Sequence, residues 1–120
     1  MRTARLVKRI ATVDRDVHHG NGAQKISCAA PDVLTISIHQ DKFYPLDSRR
    51  IEENGEGTGL GACINIALPG GTGHDGHLGA IARVAGPALD RFRPEIIIVP
   101  SGFDAFALDP PGRMQCSSET

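Results

Sequence analysis

The sequence predicts an α/β fold built on a parallel sheet. Three observations carry this. Short β-branched apolar runs alternate with a helical apolar stripe, their order is strand, helix, strand, and the acidic clusters fall just beyond the runs. In parallel α/β sheets, ligands bind outside the carboxyl ends of the strands, which is where these clusters lie.

The apolar pattern from Leu6 to Val13 reads as a helix end or linker that runs into a first short strand, whose last residues deliver Asp14. Gly20, Asn21 and Gly22 break that strand, and Ala23 to Ala30 form a helical turn before Pro31. Val33 to Ile38 is the second strand, and its near-continuous apolarity is that of a strand buried on both faces. From Gln40 to Gly61 the chain is polar and rich in glycine, too long for a simple connection, and such loops are commonly functional. Ile64 to Leu68 makes a third strand, ended by Pro69-Gly70-Gly71. Leu78, Ile81, Ala85, Leu89 and Phe92 then recur at helical spacing, with a kink or weak point expected at Gly86-Pro87. Arg93-Pro94 stops the helix, and Glu95 to Val99 is the strongest strand, its isoleucines expected in the core.

With 120 residues the chain has room for one small domain. No apolar run approaches a membrane span, and the basic stretch from Met1 to Ile10 lacks the apolar centre of a signal peptide. Cys28, Cys63 and Cys116 form no C-x-x-C pair, so neither a disulfide framework nor a cysteine zinc site is expected and a cytoplasmic location fits. A net charge of −1 with dispersed cations argues against direct nucleic-acid binding. Oligomeric state is left open by the sequence.

The most informative stretch is Asp14-Arg15-Asp16-Val17-His18-His19-Gly20. In an extended strand Asp14, Asp16 and His18 share one face, and two carboxylates held that close repel unless a cation sits between them. Asp16 and His18, joined by Asp104 after the last strand, would give one divalent cation two oxygens and a nitrogen and leave a coordination position open. The glycine run from Gly55 to Gly61 lacks the Gly-Lys-Ser/Thr of a phosphate loop and reads as backbone packing near the site. His39, His74 and His77 read as surface or loop histidines rather than ligands.

The stretch from Val13 to Gln24 resembles the metal motif of the histone deacetylase and acetylpolyamine amidohydrolase family. Ser37-Ile38-His39, the Gly55 to Gly61 run, Leu68-Pro69-Gly70-Gly71-Thr72-Gly73 and Ser101-Gly102-Phe103-Asp104-Ala105 with Asp109-Pro110 follow in that family's order. The similarity is greatest to bacterial, class II-like members, and it spans nearly all of the chain.

The resemblance implies an arginase/deacetylase-like three-layer α/β/α fold, here incomplete, and a zinc-dependent deacetylase acting on acetyl-lysine or acetylpolyamine. It implies zinc (Zn2+) on Asp16, His18 and Asp104. It also implies a structural monovalent cation, K+, on the carboxylates of Asp14 and Asp16, the Ser37 hydroxyl and the carbonyls of His18 and Ile38. His19 would support the ligands from behind, and Tyr44 would line the substrate tunnel. The family's upstream histidine pair, which supplies general base and acid, and its downstream oxyanion tyrosine have no counterpart here: the adjacent histidines are His18 and His19, and Tyr44 is the single tyrosine. Residues 1–120 therefore read as the central portion of a longer deacetylase domain. Arg15 and Pro111 stand where the family carries apolar residues.

Two other readings remain. One is a catalytically inactive, truncated metal-binding fragment. The other is a ureohydrolase-like manganese hydrolase, since arginases share a related fold and an Asp-x-His motif, although Gly20-Asn21-Gly22 offers no acidic ligand for a second metal.

Overall fold

The computed structural model describes residues 7–45 and 51–120. Four strands, β1 (Ile10–Asp14), β2 (Val33–Gln40), β3 (Cys63–Leu68) and β4 (Ile96–Ile98), form one parallel sheet in the order β3-β2-β1-β4. The helix α1 (Asn21–Ser27) joins β1 to β2, and a longer helical crossover joins β3 to β4. Leu6, where the entry to the first strand was read, lies outside the described residues, as do residues 46–50 of the long loop. Among the described residues no helix is long and apolar enough to cross a membrane.

The central strand β2 is buried from Leu34 to Gln40, and period-two alternation divides it. Leu34, Ile36 and Ile38 pack with Ala11, Ala80 and Ala85 under the crossover helix. Ile36 and Ile38 are almost fully buried, and each such side chain contributes about 1.5–3 kcal/mol. Thr35, Ser37 and His39 are also buried, and Thr35 meets Ser27 of α1. The strand is therefore covered on both faces as expected, but its second face is polar.

The crossover begins earlier than its apolar stripe, at α2 (His74–Ala80), passes through a π-helical turn (Ile81–Ala85) and continues as α3 (Gly86–Phe92). The expected weak point at Gly86-Pro87 takes the form of that turn: the Gly86 N–H donates to the Ile81 carbonyl, five residues back. Arg93 ends the helix in the left-handed region, with φ of 52°, and Pro94 prevents its continuation.

The isoleucine run is not core. In the described residues β4 is an edge strand, and Ile96, Ile97, Ile98 and Val99 are 44 to 51% exposed. Periodicity announces a strand but not which neighbours cover it. Likewise α1 starts at Asn21, so of the glycine-flanked break only Gly20 lies outside the helix.

Candidate metal centre

The Asp-x-Asp-x-His stretch does not work as an extended strand. β1 ends at Asp14, and the chain then folds through two successive Asx turns: the Asp16 N–H donates to Asp14 Oδ1 (3.0 Å) and the His18 N–H to Asp16 Oδ1 (2.8 Å). The expected sharing of one strand face by Asp14, Asp16 and His18 is thus replaced by a tight curl. Each aspartate is oriented by the backbone amide two residues on.

Asp104 arrives from the other side. The loop after β4 carries it back over the end of β1, where its Oδ1 accepts the Val17 N–H (2.9 Å). His18 Nδ1 then lies 2.8 Å from both Asp16 Oδ1 and Asp104 Oδ2. One ligand atom from each of Asp16, His18 and Asp104 lies within 4.8 Å of the others. Gly102 makes this approach feasible, because a Cβ there would lie 2.6 Å from Asp16 Cγ and 2.9 Å from Asp104 Oδ1. The three side chains are a quarter to a third exposed, so the cluster opens to solvent.

The charges bear the mark of this crowding. Burial raises the Asp14 carboxyl above its ordinary range, and the nearby Asp16 and Asp104 raise it further against the Asp16 amide and His19. For Asp16, burial pulls the same way, but the His18 backbone amide and ring nitrogen hydrogen-bonded to it prevail and lower it. Two oxygens and one imidazole nitrogen, drawn from two loops and open on one side, are a donor set that fits a divalent transition metal such as zinc.

Around this cluster the strand register sets Asp14 opposite Ser37, next to Ile38. The Ser37 hydroxyl accepts the Gly20 N–H (3.3 Å) and is 3.0 Å from His39 Nδ1. His19 is buried, and its ring lies tilted at 56° against that of His39, 4.8 Å between centroids. His19 Nε2 meets Gln24 Oε1 at 2.8 Å, and Gln24 in turn is bonded to Glu53 and Asn65. Gln24 and Asn65 escaped the sequence reading, although a lone asparagine inside the Ile64-Asn65-Ile66 run was the available signal.

Tyr44 stands 70% exposed with its ring edge-on to His18 at 6.3 Å. Phe43, which the sequence did not single out, packs closer, at 5.1 Å. His39 and His77 are corrected: both are buried, His39 on the polar face of β2 and His77 on the inner side of α2 with Nδ1 3.2 Å from Cys116 Sγ. Neither belongs to the Asp16–His18–Asp104 cluster. Arg15 is half-buried and lines a pocket with Phe103 and Phe106, while Pro111 is exposed.

A parallel α/β domain with an Asp-His-Asp cluster at the carboxyl ends of its strands is the class that fold and site define. The chain belongs to the histone deacetylase domain family, whose profile matches residues 1–120. It is 49% identical over 114 residues to a histone deacetylase-like amidohydrolase of Pseudomonas aeruginosa, covering 95% of this chain and 30% of that protein. It is 41% identical to a probable deacetylase of Archaeoglobus fulgidus, over 86% of this chain and 28% of the relative. Among solved structures, an acetylpolyamine aminohydrolase from Burkholderia pseudomallei superposes with a TM-score of 0.87 at 36% identity, covering 91% of this chain and 32% of that one. The histone deacetylase Clr3 superposes with a TM-score of 0.90 at 38% identity, over 94% and 20% of the two chains. The chain thus spans about a third or less of the length of these relatives, and the arginase/deacetylase-like fold expected from the sequence is the fold they share.

Proposed function

We infer that this chain is the central, metal-holding portion of a zinc-dependent deacetylase that hydrolyses the acetamide of an acetylated lysine or polyamine. The observation that carries the reading is the convergence of Asp16, His18 and Asp104 within 4.8 Å in a chain of this family. In such a site zinc supplies Lewis-acid polarisation of a carbonyl and a water of lowered pKa.

The chain's own residues do the rest of what it can do. Asp16 and Asp104 supply negative charge to hold the ion, and the Asx turns and the Val17 amide keep both carboxylates from rotating away. The His19–Gln24 bond anchors the loop behind them. Asp14, Asp16, Ser37 and the His18 and Ile38 carbonyls form the cradle for a monovalent cation such as K+, which would relieve the burial strain on Asp14. Phe43 and Tyr44 give an aromatic wall against which an acyl-lysine or polyamine stem packs. Proton transfer and oxyanion stabilisation fall to residues outside this chain.

A second reading concerns the 120-residue polypeptide alone: it binds metal without turnover, because it spans only 30% of its Pseudomonas relative and holds a single tyrosine, at the site's rim. Acetate release from acetyl-lysine and acetylpolyamine substrates, followed with and without a chelator, tests both. A longer protein containing this chain should lose activity to the chelator and regain it with zinc. Chelator-insensitive turnover would defeat the first reading, and appreciable turnover by the isolated chain would defeat the second.

A further inference from the structure

Two of the three cysteines meet outside the metal cluster. Ser27 closes α1 with its hydroxyl 2.6 Å from Thr35 of β2, and Thr35 is in register with Cys63 of β3. Cys28 follows Ser27 directly, so the end of α1 lies over the start of β3. One loop pins both cysteines: the Glu56 N–H donates to the Cys28 carbonyl (2.8 Å), and the Cys63 N–H donates to the Asn54 carbonyl (3.3 Å). These contacts bring the Cys28 thiol near enough to Cys63 to bear on its titration. Cys63 is 2% exposed, whereas Cys28 is half-buried and opens on a cavity of about 360 Å³ lined by Gln24, Glu52, Glu53, Gly55 and Glu56.

We propose that Cys28 and Cys63 form a paired-thiol modification site that reacts with small disulfides, cationic ones in preference, and closes to an intramolecular disulfide. Cys28 is the entry point because it alone faces the cavity. Its thiolate attacks one sulfur of R–S–S–R, forming a mixed disulfide and releasing RS⁻, which takes up the proton that Cys28 shed. Cys63 then gives up its proton and attacks Cys28 Sγ, and the second RS⁻ leaves as RSH. Two protein thiols and one small disulfide thus become one protein disulfide and two small thiols, with no other oxidant.

The order follows first from burial. Burial, together with the hydrogen bond and charge of Cys28, pushes the Cys63 thiol up to about 12, so Cys63 does not start the exchange. Once Cys28 is a mixed disulfide its hydrogen bond and charge no longer hold the Cys63 proton, while burial, the largest cause, remains, so closure is the slower step. The preference for cations follows from the lining, which among the described residues carries three glutamates and no lysine or arginine.

The test uses the folded chain with cystamine, which is dicationic, and with oxidised glutathione, which is anionic. After acid quench and alkylation, peptide mapping should find Cys28 linked to Cys63, with free thiols falling from three to one as Cys116 stays reduced. A transient cystamine adduct on Cys28 should precede closure. Cystamine should react about tenfold faster than oxidised glutathione at low ionic strength, and added salt should shrink that ratio. Cys63→Ser should stall at the Cys28 adduct. Should that variant not fold, Cys116→Ser keeps both thiols and must still close. A persistent adduct on Cys28 in the unaltered chain, linkage to Cys116, or linkage only between molecules would overturn the proposal, and equal rates for the two reagents would overturn its charge preference. Chelator should change none of these results, which separates them from the metal reading.

Discussion

Gly102→Ala is the sharpest probe of the metal cluster, because it alters no ligand. The added methyl would sit 2.6 Å from Asp16 Cγ and 2.9 Å from Asp104 Oδ1, and closer still to Asp16 Oδ2. Ordinary contact for such pairs begins about 3.4 Å out, so the two carboxylates must yield by roughly half an ångström or more. A metal site tolerates ligand displacements of only about 0.2 Å. Overpacking of this kind costs about 1–3 kcal/mol, which at about 1.4 kcal/mol per tenfold lowers zinc affinity by roughly 5- to 150-fold. Competition against a chromophoric chelator reads the affinity, and thermal melting of the metal-free chain reads the fold. Gly79→Ala, in α2 where nothing lies within 4 Å of the new Cβ, is the control and should leave zinc binding unchanged. Zinc binding by Gly102→Ala equal to that of the unaltered chain would refute the claim that Asp16 and Asp104 share one ligand sphere.

Asp104→Asn should weaken zinc binding further while sparing the sheet, which titration and circular dichroism would check together, because it removes a charged ligand but keeps an acceptor for the Val17 amide. Burial lowers the pKa of His77, so the unfolded chain takes up more protons than the folded one as pH falls below about 6.5. Stability contributed by the neutral imidazole is therefore full above that pH and lost on acidification towards the depressed folded value, and urea midpoints for His77→Gln should fall less between pH 7 and pH 5. Ser27→Ala leaves the buried Thr35 hydroxyl without its 2.6 Å partner and should cost about 1–3 kcal/mol, whereas the further change Thr35→Val should recover part of that loss. Ile97→Lys, on the exposed edge strand, should alter stability by no more than about 0.5 kcal/mol and reduce any self-association seen by light scattering.

What was legible in the sequence was whatever depends on local pattern. Val33 to Ile38 announced a buried strand because four of its six residues are β-branched and it is nearly continuous in apolarity, and the Leu78-to-Phe92 stripe announced a helix despite Gly86-Pro87. Asp16, His18 and Asp104 could be named as candidates because carboxylates crowded at a strand end are costly without a cation, and the structure does bring the three together. What was not legible depends on three-dimensional neighbours. Strand alternation was the wrong reason for the convergence of Asp16 and His18, since the Asx turns that curl the chain there reflect a competition between carboxylate and backbone that periodicity does not record. His39 and His77 were misplaced because a histidine's burial is decided by partners far along the chain, here His19 for His39 and Cys116 for His77.

The isoleucines of β4 point to the same division. Four consecutive β-branched residues specify a strand whatever lies beside them, but their 44 to 51% exposure is set by the absence of a further neighbour beyond β4 among the described residues. The Asp104 loop leaves from this strand and is held by its own contacts: the Pro100 carbonyl accepts the Arg15 N–H, Asp104 Oδ1 accepts the Val17 N–H, and Ala105 is buried against Val17, Met114 and Cys116. A metal ion bridging Asp104 to Asp16 and His18 would add to these contacts and tie the loop after β4 to the end of β1 as effectively as it would prepare chemistry. Zinc should accordingly raise the melting temperature of the unaltered chain more than that of Asp104→Asn, by linkage of binding to folding. Equal shifts in the two would mean that the ion sits on Asp16 and His18 alone.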